Sequence, residues 1–123
     1  MENLVVLLLQ SRIIIHIMHL RITGPGSFAG HLALGDLYEM MSDYADKLAE
    51  QWQGLNQKIL NYPSNMRFNI PEVGAEIEYI KNILTTVDAT IEQLDVHDKV
   101  TANILQDLAA GIRQQIYKLT FLK

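Results

Sequence analysis

The chain contains no cysteine, few aromatic residues and no run of basic residues. The absence of cysteine excludes disulfides and thiolate metal sites, and it fits a reducing cytosol. Any metal would therefore be bound by histidine and carboxylate side chains, which suit iron, manganese or zinc. The formal net charge of −4 argues against DNA binding, because non-specific binding needs several lysines or arginines that neutralise phosphates.

The composition is that of a globular protein, with 49% hydrophobic and 20% charged residues. A length of 123 residues predicts a single domain, 1–123, with room for one core. Many leucines, isoleucines and alanines favour helices, and no stretch alternates with a period of two. The predicted fold is therefore all-α, an antiparallel four-helix bundle.

Four segments repeat apolar residues every three or four positions, which predicts four helices. The first covers 1–22, the second starts after Ser27 and ends at about Gln53, the third starts near Pro71 and includes Ile91, and the fourth runs from Asp95 or Asp98 to the C-terminus. The intervening stretch 55–70 contains several asparagines and a proline. Its length, about sixteen residues, predicts a long crossover between helices two and three.

The first helix is unusually apolar, with the runs LVVLLL and RIIIHIMHLRI. Polar residues interrupt these runs before the roughly 20 apolar residues that a membrane span requires. The pattern therefore predicts a helix buried on most sides, as in a bundle inside an oligomer.

Two histidines and two carboxylates form the candidate site. His19 and His31 lie on either side of the helix-breaking turn 23–27, so a tight reversal would place both imidazoles at one end of a helix pair. Asp46 and Glu50 follow on the second helix, four residues apart and therefore on one face.

One chain cannot close this site around a single ion. His31 and Asp46 are separated by roughly 22 Å of helix, whereas metal–ligand bonds are about 2 Å long. Around the helix, however, Asp46 lies only about 60° and Glu50 about 100° from the direction of His31. A second subunit related by an antiparallel two-fold axis could place its Asp46 and Glu50 beside these histidines. This arrangement predicts a homodimer with two equivalent sites.

This segment resembles the ferroxidase region of the Dps family (DNA-binding proteins from starved cells), the mini-ferritins of the ferritin-like superfamily. The match consists of His19, His31 twelve positions later, Asp46, Glu50 preceded by Ala, Gly24-Pro25 and Phe28. The resemblance implies a ferritin-like bundle that binds iron through the two histidines and two carboxylates and oxidises Fe(II) with peroxide or dioxygen. It also implies iron storage in a dodecameric cage. Small ferritin-like proteins of phage genomes resemble this sequence pattern too.

Two positions depart from the Dps pattern. Gly35 stands where the family usually carries an acidic residue, and Leu20 stands where a tryptophan is common. The alternative is a metal-free helical-bundle oligomer, a structural or interaction protein without ferroxidase activity. His16, three residues before His19, is a second-rank ligand that more often would be a core or interface residue.

Overall fold

A computed structural model describes residues 1–123 and contains four helices and no strand. The helices are α1 (Glu2–Arg21), α2 (Ser27–Asn56), α3 (Glu76–Gln93) and α4 (Lys99–Phe121). The prediction of an all-helical chain with four helices is confirmed.

Each helix packs against two others. α1 lies next to α2 and α3, and α4 lies next to α2 and α3, so α1 and α4 are diagonal to each other, as are α2 and α3. The connection 57–75 therefore joins two helices that are not adjacent, which accounts for its length. Arg21 at the end of α1 forms a salt bridge of 3.2 Å with Glu76 at the start of α3.

The predicted start of α3 is wrong, and the predicted start of α4 is confirmed at one of its two candidate residues. α3 begins at Glu76 and not near Pro71, because Gly74 adopts a left-handed conformation (φ 101°) that interrupts the chain just before the helix. The expectation for α4 is confirmed at Asp98, whose carboxylate accepts a hydrogen bond of 3.1 Å from the backbone N–H of Thr101.

The core is a single cluster of buried apolar side chains contributed by all four helices. The apolar residues that recur every three or four positions in α2 are buried, at Leu34, Leu37, Met41, Ala45 and Leu48. α1 contributes Leu4, Val5, Leu8, Ile14, Ile15 and Met18. These stripes face each other where α1 and α2 pack, so hydrophobic burial holds this helix pair together.

α1 differs from the other helices because its outer side is apolar too. Ile13 is 44% exposed and Leu20 is 69% exposed. By length and composition α1 could cross a membrane, yet here it packs against α2 and α3. Only 39% of the residues in its most apolar 18-residue window are buried. One chain therefore buries one side of this helix and leaves the other side partly exposed.

Ser11 on α1 and Tyr79 on α3 form a polar contact between these helices. Their hydroxyl oxygens are 3.1 Å apart, and Ser11 is completely buried. Burial raises the pKa of the Tyr79 phenol above its ordinary value, and the hydrogen bond from Ser11 has a smaller, opposite effect. Tyr79 therefore remains protonated and able to share this bond at neutral pH.

Replacing Tyr79 by Phe should lower the free energy of unfolding by about 1 kcal/mol, because the buried Ser11 hydroxyl loses its partner on α3. Urea denaturation of the wild type, Tyr79→Phe, Ser11→Ala and the double variant measures the coupling between the two side chains. The exposed Tyr117 provides a matched control, and Tyr117→Phe should leave stability unchanged. Equal losses in the two Tyr→Phe variants would contradict a stabilising contact.

Candidate histidine site

His19 and His31 are held together by a reciprocal pair of hydrogen bonds. Nδ1 of His19 lies 2.6 Å from the carbonyl oxygen of His31, and Nδ1 of His31 lies 2.8 Å from the carbonyl oxygen of His19. Because a carbonyl oxygen only accepts, both Nδ1 atoms donate, and the bonding assigns the Nδ1–H tautomer to both rings. The rings stack with their centroids 3.6 Å apart.

The turn between α1 and α2 brings the two histidines to the same level along the axes of the two helices. Gly24 and Gly26 both have positive φ (97° and 79°), a conformation that glycine adopts without strain. The N–H of Ser27 donates to the carbonyl of Gly24 at 3.1 Å, which closes the turn. Gly30 then lets α2 approach α1 closely, because a Cβ at this position would lie 2.6 Å from Cδ1 of Ile22.

Gly35 provides the space that the His19 ring occupies. A Cβ at position 35 would lie 3.2 Å from Cε1 and 3.3 Å from Nδ1 of His19, closer than an ordinary van der Waals contact. An acidic side chain at this position would meet the ring at the same place. The glycine that departs from the Dps pattern is therefore part of the packing of the histidine pair.

Three more side chains extend this pair into what we call the histidine cluster: Arg12, His16, His19, His31 and Tyr38. Arg12 donates a hydrogen bond of 2.9 Å to Nδ1 of His16, and its guanidinium group lies 4.8 Å from the centre of the Tyr38 ring. His16 stacks on Tyr38 with centroids 4.2 Å apart, and His19 contacts the edge of the same ring. All five side chains are half-buried.

Tyr38 was missed by the sequence analysis, although a signal was present. It follows His31 by seven residues, so the two side chains lie on the same face of α2. Arg12 precedes His16 by four residues, which likewise places both on one face of α1. These two spacings predict an Arg–His–Tyr contact once α1 and α2 are paired.

Asp46 and Glu50 lie apart from the histidine cluster. Both are exposed on α2, and Asp46 is roughly 22 Å along the helix axis from His31. Within one chain, no group of three or more His, Asp or Glu side chains could hold a metal ion. The assignment of all four residues to one ion shared between subunits stays a prediction.

The donor atoms of the histidine pair suit a transition metal, but the stacked geometry does not. With both Nδ1 atoms bonded to carbonyls, the Nε2 atoms are the free lone pairs, a common arrangement in histidine metal ligands. A lone pair lies in the plane of its ring, and these planes are stacked at 3.6 Å and inclined by only 20°. They do not converge on a point about 2 Å from both nitrogens.

The sequence matches a protein family described as a family of unknown function, DUF5856, over residues 22–119. The chain belongs to this family. The match includes His31, Asp46 and Glu50, whereas all of α1, with His19, precedes it. No curated protein and no solved structure matches the chain.

The resemblance to the Dps family is wrong, because the family that matches is DUF5856 and no Dps or ferritin-like family is found. The resemblance depended on four side chains and a turn in about a quarter of the sequence. Intervals of four and fifteen residues place side chains within about 60° of each other around any helix. They therefore report helix geometry as much as ancestry.

Gly35→Ala and Gly54→Ala form a matched pair that tests the packing of the histidines. Both glycines lie in α2, but a Cβ at position 54 meets nothing within 4 Å. Alanine is the better helix former by about 1 kcal/mol, so Gly54→Ala should stabilise the protein by up to this amount. Gly35→Ala should stabilise the protein less than Gly54→Ala, because the His19 ring has to move.

Chemical denaturation measures both stabilities, and NMR of the His19 ring protons reports its displacement. We expect the ring resonances to shift in Gly35→Ala and to remain in place in Gly54→Ala. Equal stabilisation of both variants with unchanged resonances would refute the packing role of Gly35.

Proposed function

We propose that the protein is a structural or interaction protein that works as a homo-oligomer of helical bundles. The observation that carries this proposal is the open apolar side of α1. α1 is the most apolar of the four helices, and in one chain its Ile13 and Leu20 side chains remain exposed to water. A second subunit would supply the missing cover.

Exposed apolar side chains are also present at the start of α2. Phe28 is 74% exposed and Leu32 is 53% exposed, and both lie at the start of α2, beside the end of α1 that carries Leu20. Contiguous exposed apolar patches on a monomer commonly mark interaction surfaces. Burying such a patch contributes about 25 cal/mol per Å² of apolar area, which favours association.

The helices of this bundle are proposed to run antiparallel to their neighbours. α1 and α2 pack along their length and are joined by only five residues, 22–26. His19 and His31, which lie at the two sides of this turn, contact each other directly. Both observations support opposite directions for α1 and α2.

DNA is an unsuitable partner for this surface. The outer face of α2 carries five exposed carboxylates at intervals of three and four residues: Asp36, Glu39, Asp43, Asp46 and Glu50. Such a stripe repels phosphate groups, and no comparable basic stripe is available to offset it. The stripe instead favours a partner with cationic or polar side chains.

Light scattering of the purified protein tests self-association. We expect a molar mass of at least twice the 14.0 kDa of one chain, because the open side of α1 is covered only in an oligomer. The double variant Ile13→Glu/Leu20→Glu should reduce this mass by placing two charges on that side. Val96→Glu is the control, since Val96 is 81% exposed in the turn between α3 and α4. A monomeric wild type would exclude the proposal.

The second candidate function is binding of a divalent transition metal between subunits, iron first and zinc or manganese as alternatives. The observation that favours it is the locked Nδ1–H tautomer, which leaves both Nε2 atoms free. In this proposal His19 and His31 of one subunit and the partner's Asp46 and Glu50 bind the ion. One imidazole has to turn out of the stack first. Iron oxidation followed only from the Dps resemblance and is not included.

Isothermal titration calorimetry with Fe(II) under anaerobic conditions tests the metal site. Saturable binding should be lost both in His31→Ala and in Glu50→Ala, because each removes a ligand from the same ion. Glu92→Ala, which removes an exposed carboxylate on α3, should bind like the wild type. Retention of binding by either ligand variant would refute a site shared between subunits.

A further inference from the structure

We propose that the outer stripe of α1 packs antiparallel against the same stripe of a second copy, around a two-fold axis at Ile13. The outer stripe consists of Val6, Leu9, Ile13, Ile17 and Leu20. This inference rests on the proposed self-association and adds the surface, the direction and the register of the contact.

The five side chains form one continuous apolar surface. They lie within about 80° of the circumference of α1. The completely buried Leu8 and Ile15 lie about 140° and 160° away from Ile13 around the helix, so the stripe points away from the core. Ile13 and Leu20 are exposed, and the other three members are half-buried.

The spacing of the stripe is symmetric about its centre. Val6 and Leu9 precede Ile13 by seven and four residues, and Ile17 and Leu20 follow it by four and seven. A two-fold axis at Ile13 therefore pairs every member with an apolar residue of the other copy. Ile13 meets the partner's Ile13, and Leu9 meets the partner's Ile17. A two-fold contact requires this kind of self-complementary surface.

The same axis also places a carboxylate of one copy at the level of the histidine pair of the other. Asp43 lies twelve residues along α2 from His31 and therefore at the height of Leu7 on α1, six residues before Ile13. His19 lies six residues after Ile13. The two-fold operation thus places the partner's Asp43 at the height of the histidine pair.

The histidine cluster is suited to an acidic neighbour. Arg12 contacts only His16 and the Tyr38 ring, and the salt bridges within the chain involve other residues. The acidic stripe of the partner would supply carboxylates that this cluster lacks. Charge complementarity therefore supports a second copy, in preference to an unrelated apolar surface, as the occupant.

Cysteine substitutions test the register, because the chain has no cysteine of its own. Ile13→Cys should form a covalent dimer on copper–phenanthroline oxidation, since the two thiols face each other across the axis. Leu9→Cys and Ile17→Cys should cross-link poorly alone and readily when mixed. Val96→Cys is the control, because it is highly exposed but distant from the stripe.

The outcomes separate this register from self-association in general. Several-fold more dimer for Ile13→Cys than for Val96→Cys, at equal protein concentration, supports it. A dimeric mass by light scattering without this excess overturns the register and leaves self-association intact. A monomeric mass overturns both. Co-flotation of a monomer with phosphatidylcholine vesicles, abolished by Ile13→Glu, would identify a lipid surface as the occupant and would also overturn it.

Discussion

α1 is the most apolar helix of the bundle, and the organisation of the molecule depends on covering its apolar surface. Its buried residues form one side of the core, packed against α2 and α3. Its outer stripe remains partly open in the single chain. Water-exposed apolar surface is unfavourable in proportion to its area, so the helix is stable only where another surface replaces the water. The proposed oligomer follows from this constraint.

The histidine pair fixes how α1 and α2 meet. Two rings that donate to each other's backbone carbonyls hold the helices at one height, and the turn glycines and Gly35 make the necessary space. These bonds occupy one nitrogen of each ring and leave the other free. The pair is therefore a structural contact in one chain, and its chemistry beyond this depends on what a second subunit contributes.

The helices were predictable because apolar residues recur at helical spacing, and the turn predicted that His19 and His31 would lie together. The start of α3 was not predictable from Pro71, since Gly74 ends the preceding loop in a left-handed conformation. Stacking of the imidazoles depends on the distance between two helices, which spacing along one helix does not determine. The Dps resemblance was wrong for a different reason, because the residue intervals that carried it reflect helix periodicity.

The most direct test of the central claim is an isotope-filtered NOE measurement on an equimolar mixture of ¹³C-labelled and unlabelled protein. Only contacts between different chains give signals in such a sample. Contacts between the methyl groups of Leu9 and Ile17 and between Val6 and Leu20, too far apart within one α1, are the predicted result. An oligomer whose intermolecular signals all arise from other surfaces would contradict the account.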